Sequence, residues 1–237
     1  MGSIFGRKDD FAINNKTKLK NILSKVQSIY DTGTFPIEYS VVFDIIKILA
    51  DNINYRNNTA LLSRKRFESV NSDPLMLVLP NAKKVKITQE IVVRMGKEPI
   101  ITDIWNEERQ ISTLKIFTVQ NKDWKEDPIN HYYRLLLPMG LTVIKNGFHS
   151  VNAGIVKSTG SLLYTPNSKN GEVYDLSPLY ETVYFDGDYY RYKTTKAKVM
   201  KSNCIFELGC IFEIGRIIFT ESKNGKTLKF PYNVKEQ

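Results

Sequence analysis

The sequence predicts an α+β fold in which N-terminal helices pack on a mixed β-sheet domain. Up to residue 71, apolar residues recur every three or four positions, as they do on one face of a helix. From residue 72 onward, short runs rich in β-branched residues alternate with turn signals, as strands require. Hydrophobic residues make up 42% of the chain, which is enough for a sizeable core. We therefore predict a helical N-terminal region at residues 1–71 and an α+β domain at residues 72–237.

Three helices are predicted in the N-terminal region. The first begins near Asn14 or Asn15, either of which can cap it, and ends at residues 31–33. The second begins at Pro36, because proline suits the first turn of a helix, and carries apolar residues up to Ile53. A third, shorter helix is predicted at residues 59–70. The turn at residues 71–74 then separates the two regions.

The sheet domain is predicted from short apolar runs. Strands are expected at residues 75–79, 85–87, 91–94, 99–104, 113–119, 132–137 and 141–145, although residues 100–111 are also compatible with a helix. A hairpin is predicted around Asp186-Gly187-Asp188. The apolar spacing of residues 204–219 favours a buried helix, in which Glu213 and Arg216 are placed to pair.

Charge and cysteine content limit the classes of function. The formal net charge of +9 favours a polyanionic partner such as a nucleic acid, although a scattered lysine surface has the same composition. Cys204 and Cys210 are the only cysteines, so the sequence has no disulfide framework and no zinc-ligand spacing. The N-terminus lacks a secretory signal, and charged residues interrupt the longest apolar segment. We therefore predict a cytoplasmic protein with no membrane contact.

The predicted functional site is a strand-turn-helix motif. An apolar run at Val143-Ile144 meets Asn146-Gly147, and a helix is predicted at residues 148–157. A glycine at such a turn lets backbone N–H groups reach an anion, which the helix dipole also favours.

Six residues of this motif are predicted to act in the site. Asn146, Gly147, Phe148 and Asn152 are expected to bind phosphate, while His149 and Ser150 are the candidate catalytic residues. The same pattern is also that of a structural turn in which His149 bonds a backbone carbonyl. No cofactor can be named from these residues.

The segment Gly147-Phe148-His149-Ser150-Val151-Asn152-Ala153 resembles the glycine–x–histidine–arginine–x–x–alanine turn of the ParB/sulfiredoxin-like superfamily. The resemblance implies a turn between strand and helix that binds a phosphate of a nucleotide or of DNA. Ser150 stands where that superfamily has an arginine. Phe148 stands where sulfiredoxin has its catalytic cysteine, which excludes sulfiredoxin chemistry. The asparagine–glycine–x–histidine–serine form also resembles poorly characterised bacterial and phage proteins.

Two further groups of residues are candidates for function. His131, which follows Trp124, is predicted as a second acid–base residue, or as a structural histidine bonded to the backbone. The spacing of histidines and carboxylates does not support a metal site. A second group consists of Tyr190, Arg191, Lys193 and Lys196, which combine aromatic and basic side chains as nucleic-acid surfaces do. A hairpin edge protected by lysines has the same pattern.

Three functions are compatible with these observations. The favoured one is a protein that binds nucleic acid or a nucleotide through the turn at residues 147–150. The second is an enzyme acting on nucleotides or phosphoesters, with His149 as acid or base. The third is a phage or mobile-element factor that binds a host or phage protein.

Overall fold

The fold is α+β, as the sequence predicts. We describe a computed structural model of the chain, which covers residues 13–32, 41–65, 69–120, 123–201, 204–228 and 233–234. Within these ranges the helices are α1 Asn15–Thr32, α2 Val41–Leu62, α3 Pro74–Val78, α4 Glu107–Val119, α5 Phe148–Lys157, α6 Leu179–Thr182 and α7 Phe206–Lys223. The strands are β1 Lys83–Val85, β2 Ile91–Arg94, β3 Ile100–Ile101, β4 Tyr132–Leu137, β5 Leu141–Asn146, β6 Ser161–Tyr164, β7 Gly171–Asp175, β8 Val183–Phe185, β9 Tyr190–Tyr192 and β10 Asn233–Val234.

A five-stranded mixed sheet organises the molecule. Its strand order is β1-β7-β4-β5-β3. The central hairpin of β4 and β5 is antiparallel, whereas β3 runs parallel to β5 and β7 runs parallel to β4. Because β3 and β5 are parallel neighbours, the segments that follow them leave the same edge of the sheet. This topology brings the start of α4 close to the start of α5.

The sheet separates two hydrophobic cores. Successive strand residues point to opposite faces, so Leu136 and Val143 face one core and Leu135 and Ile144 face the other. The first core also contains buried residues of α1, α2 and α7, whereas the second contains Val151 of α5 and the β2–β6 pair. The N-terminal helices therefore pack on α7 and one face of the sheet. The boundary at residue 71 remains a prediction.

Several of the predicted helices and strands are confirmed. Strand β4 and helix α5 have the predicted bounds, and α7 is the predicted buried helix. Asn14 caps α1 by accepting the Thr17 N–H at 2.9 Å. The hairpin of β8 and β9 forms, and Arg216 Nε donates to Glu213 Oε2 at 2.7 Å. The predicted helix start at Pro36 lies outside the described residues.

Three local predictions are wrong. Residues 75–79 are not a strand, because the Asp73 carboxylate accepts the Leu75 N–H at 2.9 Å and begins α3. Residues 113–119 belong to α4, whose start is capped by Asn106 and carries Glu107 and Glu108 in its first turn. Residues 59–62 do not begin a separate helix, because α2 continues through them without a break to its end at residue 62, whereas residues 66–68 of the predicted helix lie outside the described residues. In the first two cases local capping outweighs the strand preference of β-branched residues.

Candidate functional site

The turn between β5 and α5 is formed by a glycine in a left-handed conformation. Gly147 has φ +81° and is the N-cap residue of α5. The first backbone N–H groups of a helix have no carbonyl one turn earlier to bind, so they are free for an anion. The predicted strand-turn-helix geometry is therefore present.

His131 lies directly behind this turn. A Cβ atom at Gly147 would be 2.2 Å from His131 Cδ2, so only glycine fits beside the imidazole. The imidazole stacks on Trp124 with ring centroids 5.0 Å apart, and its Nδ1 accepts the Asp127 N–H at 2.8 Å. Burial lowers the pKa of His131. The imidazole therefore makes the backbone hydrogen bond of the structural alternative, and acid–base catalysis by His131 remains a prediction.

In front of the turn is a cleft of about 660 Å³ between the start of α5 and one face of α4. We call it the α4–α5 cleft. It is lined on the α4 side by Trp105, Glu108, Arg109, Ser112, Thr113 and Ile116, and on the other side by Asn130 and residues 146–150. The α4 residues are three or four positions apart, so they share one face of the helix.

The aromatic and charged groups of the cleft come from the start of α4. Trp105 is 50% exposed, and the Arg109 guanidinium lies 5.1 Å from the centroid of its ring. Glu108 is also exposed and brings a carboxylate to the same cleft. The cleft therefore combines an aromatic surface, an acid, a cation and the free amides of a helix start.

His149 connects the two sides of the cleft. Its Nε2 accepts the backbone N–H of Asn106 at 3.2 Å, and its ring meets Trp105 edge to face with centroids 5.5 Å apart. Burial, together with the nearby Arg109 charge, lowers the pKa of His149. The lowered pKa favours the neutral form of the imidazole. Since Nε2 is an acceptor, the proton is on Nδ1.

Ser150 has its oxygen atoms turned to Trp124. The Trp124 indole N–H lies 3.0 Å from both Ser150 Oγ and the Ser150 carbonyl oxygen. The hydroxyl accepts from the indole, so its own proton can be donated to a group in the cleft. Ser150 is therefore placed to donate to an anion.

The chain matches the model of a protein family. Residues 8–224 match DUF6710, a family of unknown function. The chain belongs to this family. Neither the curated proteins nor the solved structures contain a match. The likeness of this DUF6710 chain to the ParB/sulfiredoxin-like superfamily remains a prediction.

The remaining predicted residues of the motif separate into two groups. Asn146 and Phe148 line the cleft of this DUF6710 member; Asn146 is exposed, and its amide donates to Asn130 Oδ1 at 3.3 Å. Asn152 does not line the cleft, because it is fully buried on the other side of α5. Its amide exchanges two hydrogen bonds with Asn58 of α2, of 2.9 and 3.1 Å. The prediction that Asn152 contacts a ligand is corrected to a structural role.

The basic hairpin does not contribute to the cleft. Tyr190 is 1% exposed and packs on Phe185 and Phe212, so it cannot stack on a base as predicted. Arg191 is paired with Asp186 and donates to the Lys196 carbonyl at 2.9 Å. Lys193 and Lys196 are exposed. Nucleic-acid binding by these three basic residues remains a prediction.

Seven residues that line the cleft were not predicted from the sequence, and they include its aromatic and charged groups, Trp105, Glu108 and Arg109. A tryptophan directly before a good N-cap residue, Asn106, was the available signal. This signal was missed because the segments before and after it, residues 99–104 and 113–119, were both predicted as strands. Of the described residues, no three His, Cys, Asp or Glu side chains are grouped so that they could hold a metal. No helix in the described ranges is long and apolar enough to cross a bilayer.

Proposed function

We propose that this protein binds a phosphate group of a nucleotide or nucleic acid in the α4–α5 cleft. One observation carries the proposal: the start of α5, opened by Gly147, faces the same cleft of about 660 Å³ as the exposed Arg109. Helix amides and an arginine are the usual protein partners of phosphate. The volume is within the range of small-molecule sites, roughly 300–1,000 Å³.

The position of the cleft in the fold supports the proposal. The segments after β3 and β5 form its walls, and these strands are parallel neighbours. In sheets with parallel strands, ligands commonly bind beyond the carboxyl ends of the strands. In this proposal Arg109 supplies from α4 the cation that the resembling motif carries at the position of Ser150.

The geometry gives less support to an enzyme in which His149 is a general base. Its Nε2 lone pair accepts the Asn106 N–H, and its Nδ1 carries the proton. The imidazole therefore has no free lone pair with which to take a proton from a substrate. A role as hydrogen-bond donor from Nδ1 fits the proposed phosphate site.

The test is a calorimetric titration of the wild-type chain with inorganic phosphate, nucleoside monophosphates and short single-stranded DNA and RNA. Arg109→Gln is compared with Lys115→Gln, a matched loss of charge on α4 outside the cleft. A charge-assisted hydrogen bond contributes about 1.5–3 kcal/mol, so Arg109→Gln should weaken binding about 10-fold or more. Lys115→Gln should change it less than twofold for a mononucleotide.

Salt dependence separates the two classes of ligand. The affinity of a nucleic acid falls steeply between about 50 and 200 mM salt, in proportion to the number of phosphates contacted. The affinity of a mononucleotide falls much less. Binding that is absent for every ligand, or equally reduced by both variants, would refute the proposal. A host or phage protein partner remains a prediction from the sequence.

A further inference from the structure

The first turn of α4 and Trp105, which directly precedes its N-cap residue, present three different recognition groups to the α4–α5 cleft. Trp105, Glu108 and Arg109 stand at relative positions i, i+3 and i+4 and line the cleft together. Trp105 and Glu108 also line a neighbouring cleft of about 530 Å³, so they form the ridge between the two. Phosphate binding accounts for Arg109 but not for the other two groups.

Trp105 provides a surface for a planar ring. An indole that is 50% exposed is unusual, because burial of large aromatic side chains strongly favours folding. The ring contacts the Arg109 guanidinium, 5.1 Å from its centroid, and meets His149 in a T-shaped arrangement with centroids 5.5 Å apart. Exposed aromatic rings stack well on nucleobases.

Glu108 is the group that a site for phosphate alone does not explain. Its carboxylate repels phosphate, and it forms no ion pair or hydrogen bond with another described residue, whereas the adjacent Glu107 pairs with Arg64 at 3.6 Å. A carboxylate has two oxygens that accept two parallel N–H donors. Glu108 therefore suits a part of the ligand that carries adjacent donors and lies beside Trp105.

We infer that the α4–α5 cleft selects guanine nucleotides, with the base stacked on Trp105 and its N1–H and N2–H groups donated to Glu108. Guanine is the one common base with two adjacent donors on its Watson–Crick edge. Adenine and cytosine place a ring-nitrogen acceptor beside their amino group, and uracil places a carbonyl on each side of its N–H. These acceptors repel a carboxylate. The inference rests on the proposed function, which places the phosphate at the start of α5 and at Arg109.

The experiment compares guanosine, inosine and adenosine monophosphates with inorganic phosphate by calorimetric titration of the full chain. Inosine monophosphate keeps N1–H but lacks the N2 amino group. We expect it to bind about 10-fold more weakly than guanosine monophosphate, and adenosine monophosphate about 100-fold more weakly, at about tenfold for each donor lost.

Two variants test the assignment to Glu108. Glu108→Gln should reduce the preference for guanosine over inosine monophosphate to less than threefold and should not weaken the binding of inorganic phosphate. Glu107→Gln, a matched change at a carboxylate that lines only the neighbouring cleft, should keep the preference. Both side chains are on the surface, so circular dichroism of the variants should match the wild type.

The outcomes distinguish a failure of guanine selection from a failure of phosphate binding. Equal binding of the three nucleotides overturns the inference and leaves the proposed phosphate site intact. A preference for guanosine that persists in Glu108→Gln also overturns it. If neither phosphate nor any nucleotide binds, the proposed function fails, and the inference fails with it.

Discussion

Replacing Gly147 by alanine tests the packing behind the turn. The left-handed backbone at φ +81° costs a residue with a Cβ atom about 1–2 kcal/mol. The new methyl group would also lie 2.2 Å from His131 Cδ2, and relieving such an overlap in a packed region costs about 1–3 kcal/mol more. We therefore expect Gly147→Ala to lower the free energy of unfolding by about 2–5 kcal/mol.

The imidazole has little room to move away from this methyl group. His131 stacks on Trp124, and Trp124 is itself tightly enclosed, because a Cβ atom at Gly160 would be 2.6 Å from its ring. Its indole N–H is also bonded to Ser150. The overlap is consequently not relieved by a simple rotation of one side chain.

Gly225→Ala is a matched control for the backbone term. Gly225 has the same φ of +81°, and a Cβ atom there would meet no atom within 4 Å. Gly225→Ala should therefore lower the free energy of unfolding by only about 1–2 kcal/mol. Urea denaturation measures the loss in both variants. In a chain of this size, the melting temperature should fall by about 2–4 °C for each kcal/mol of stability lost. Equal losses for the two variants would refute the reasoning.

A double-mutant cycle isolates the contact with the imidazole. His131→Ala removes the atom that the new methyl group meets. In the His131→Ala background, Gly147→Ala should cost about 1–3 kcal/mol less than in the wild type. An additive cycle would assign the whole loss to the backbone.

Three further predictions concern buried and titrating groups. Asn152→Ala removes both hydrogen bonds between Asn152 and Asn58 and leaves the half-buried Asn58 amide only its bond to the Asn54 carbonyl, so the free energy of unfolding should fall by about 2 kcal/mol while nucleotide affinity stays within twofold. A tenfold loss of affinity would place Asn152 in the cleft. The Asp103 carboxylate is buried and accepts four hydrogen bonds from residues 69–71. Asp103→Ala should therefore lower the free energy of unfolding, measured by urea denaturation, by about 3 kcal/mol or more. A loss below about 1 kcal/mol would contradict this expectation. Because the pKa of His149 is lowered in the folded state, its contribution to stability is present above about pH 6.5 and is lost as the pH falls through the folded-state pKa. The free energy of unfolding, measured by urea denaturation, should therefore fall less between pH 7.5 and pH 5.5 for His149→Gln than for the wild type. An equal fall in the two proteins would contradict the direction of the pKa shift.

The strand-turn-helix motif could be predicted from the sequence because its signals are local. Gly147 requires a particular backbone conformation, and the apolar spacing on either side gives the bounds of β5 to within one residue and those of α5. The pairing of Arg216 with Glu213 is also local, since the residues are one helical turn apart. Such features depend on residues within a few positions of one another.

The other half of the site could not be predicted in this way. Trp105 and Arg109 reach the motif because β3 pairs in parallel with β5, and that pairing joins residues 42 positions apart, such as Ile100 and Thr142. The β-branched residues of α4 also concealed a helix that capping by Asn106 stabilises. Tyr190 illustrates the opposite error, since its aromatic and basic neighbours in sequence predicted an exposed role for a core side chain.

The two helices of the cleft are anchored to very different degrees. Within α4 only Gln110 is buried, and neither its amide nitrogen nor its oxygen has a hydrogen-bond partner among the described residues. Helix α5 buries residues 151–154. Backbone amides of α4 should therefore exchange their hydrogens through brief local openings, and those of α5 only through much larger ones. The α5 wall of the cleft is thus the more rigid one, while α4 buries only Gln110 and packs the partly buried Phe117 against the second core. A ligand that spans both walls would slow exchange along α4.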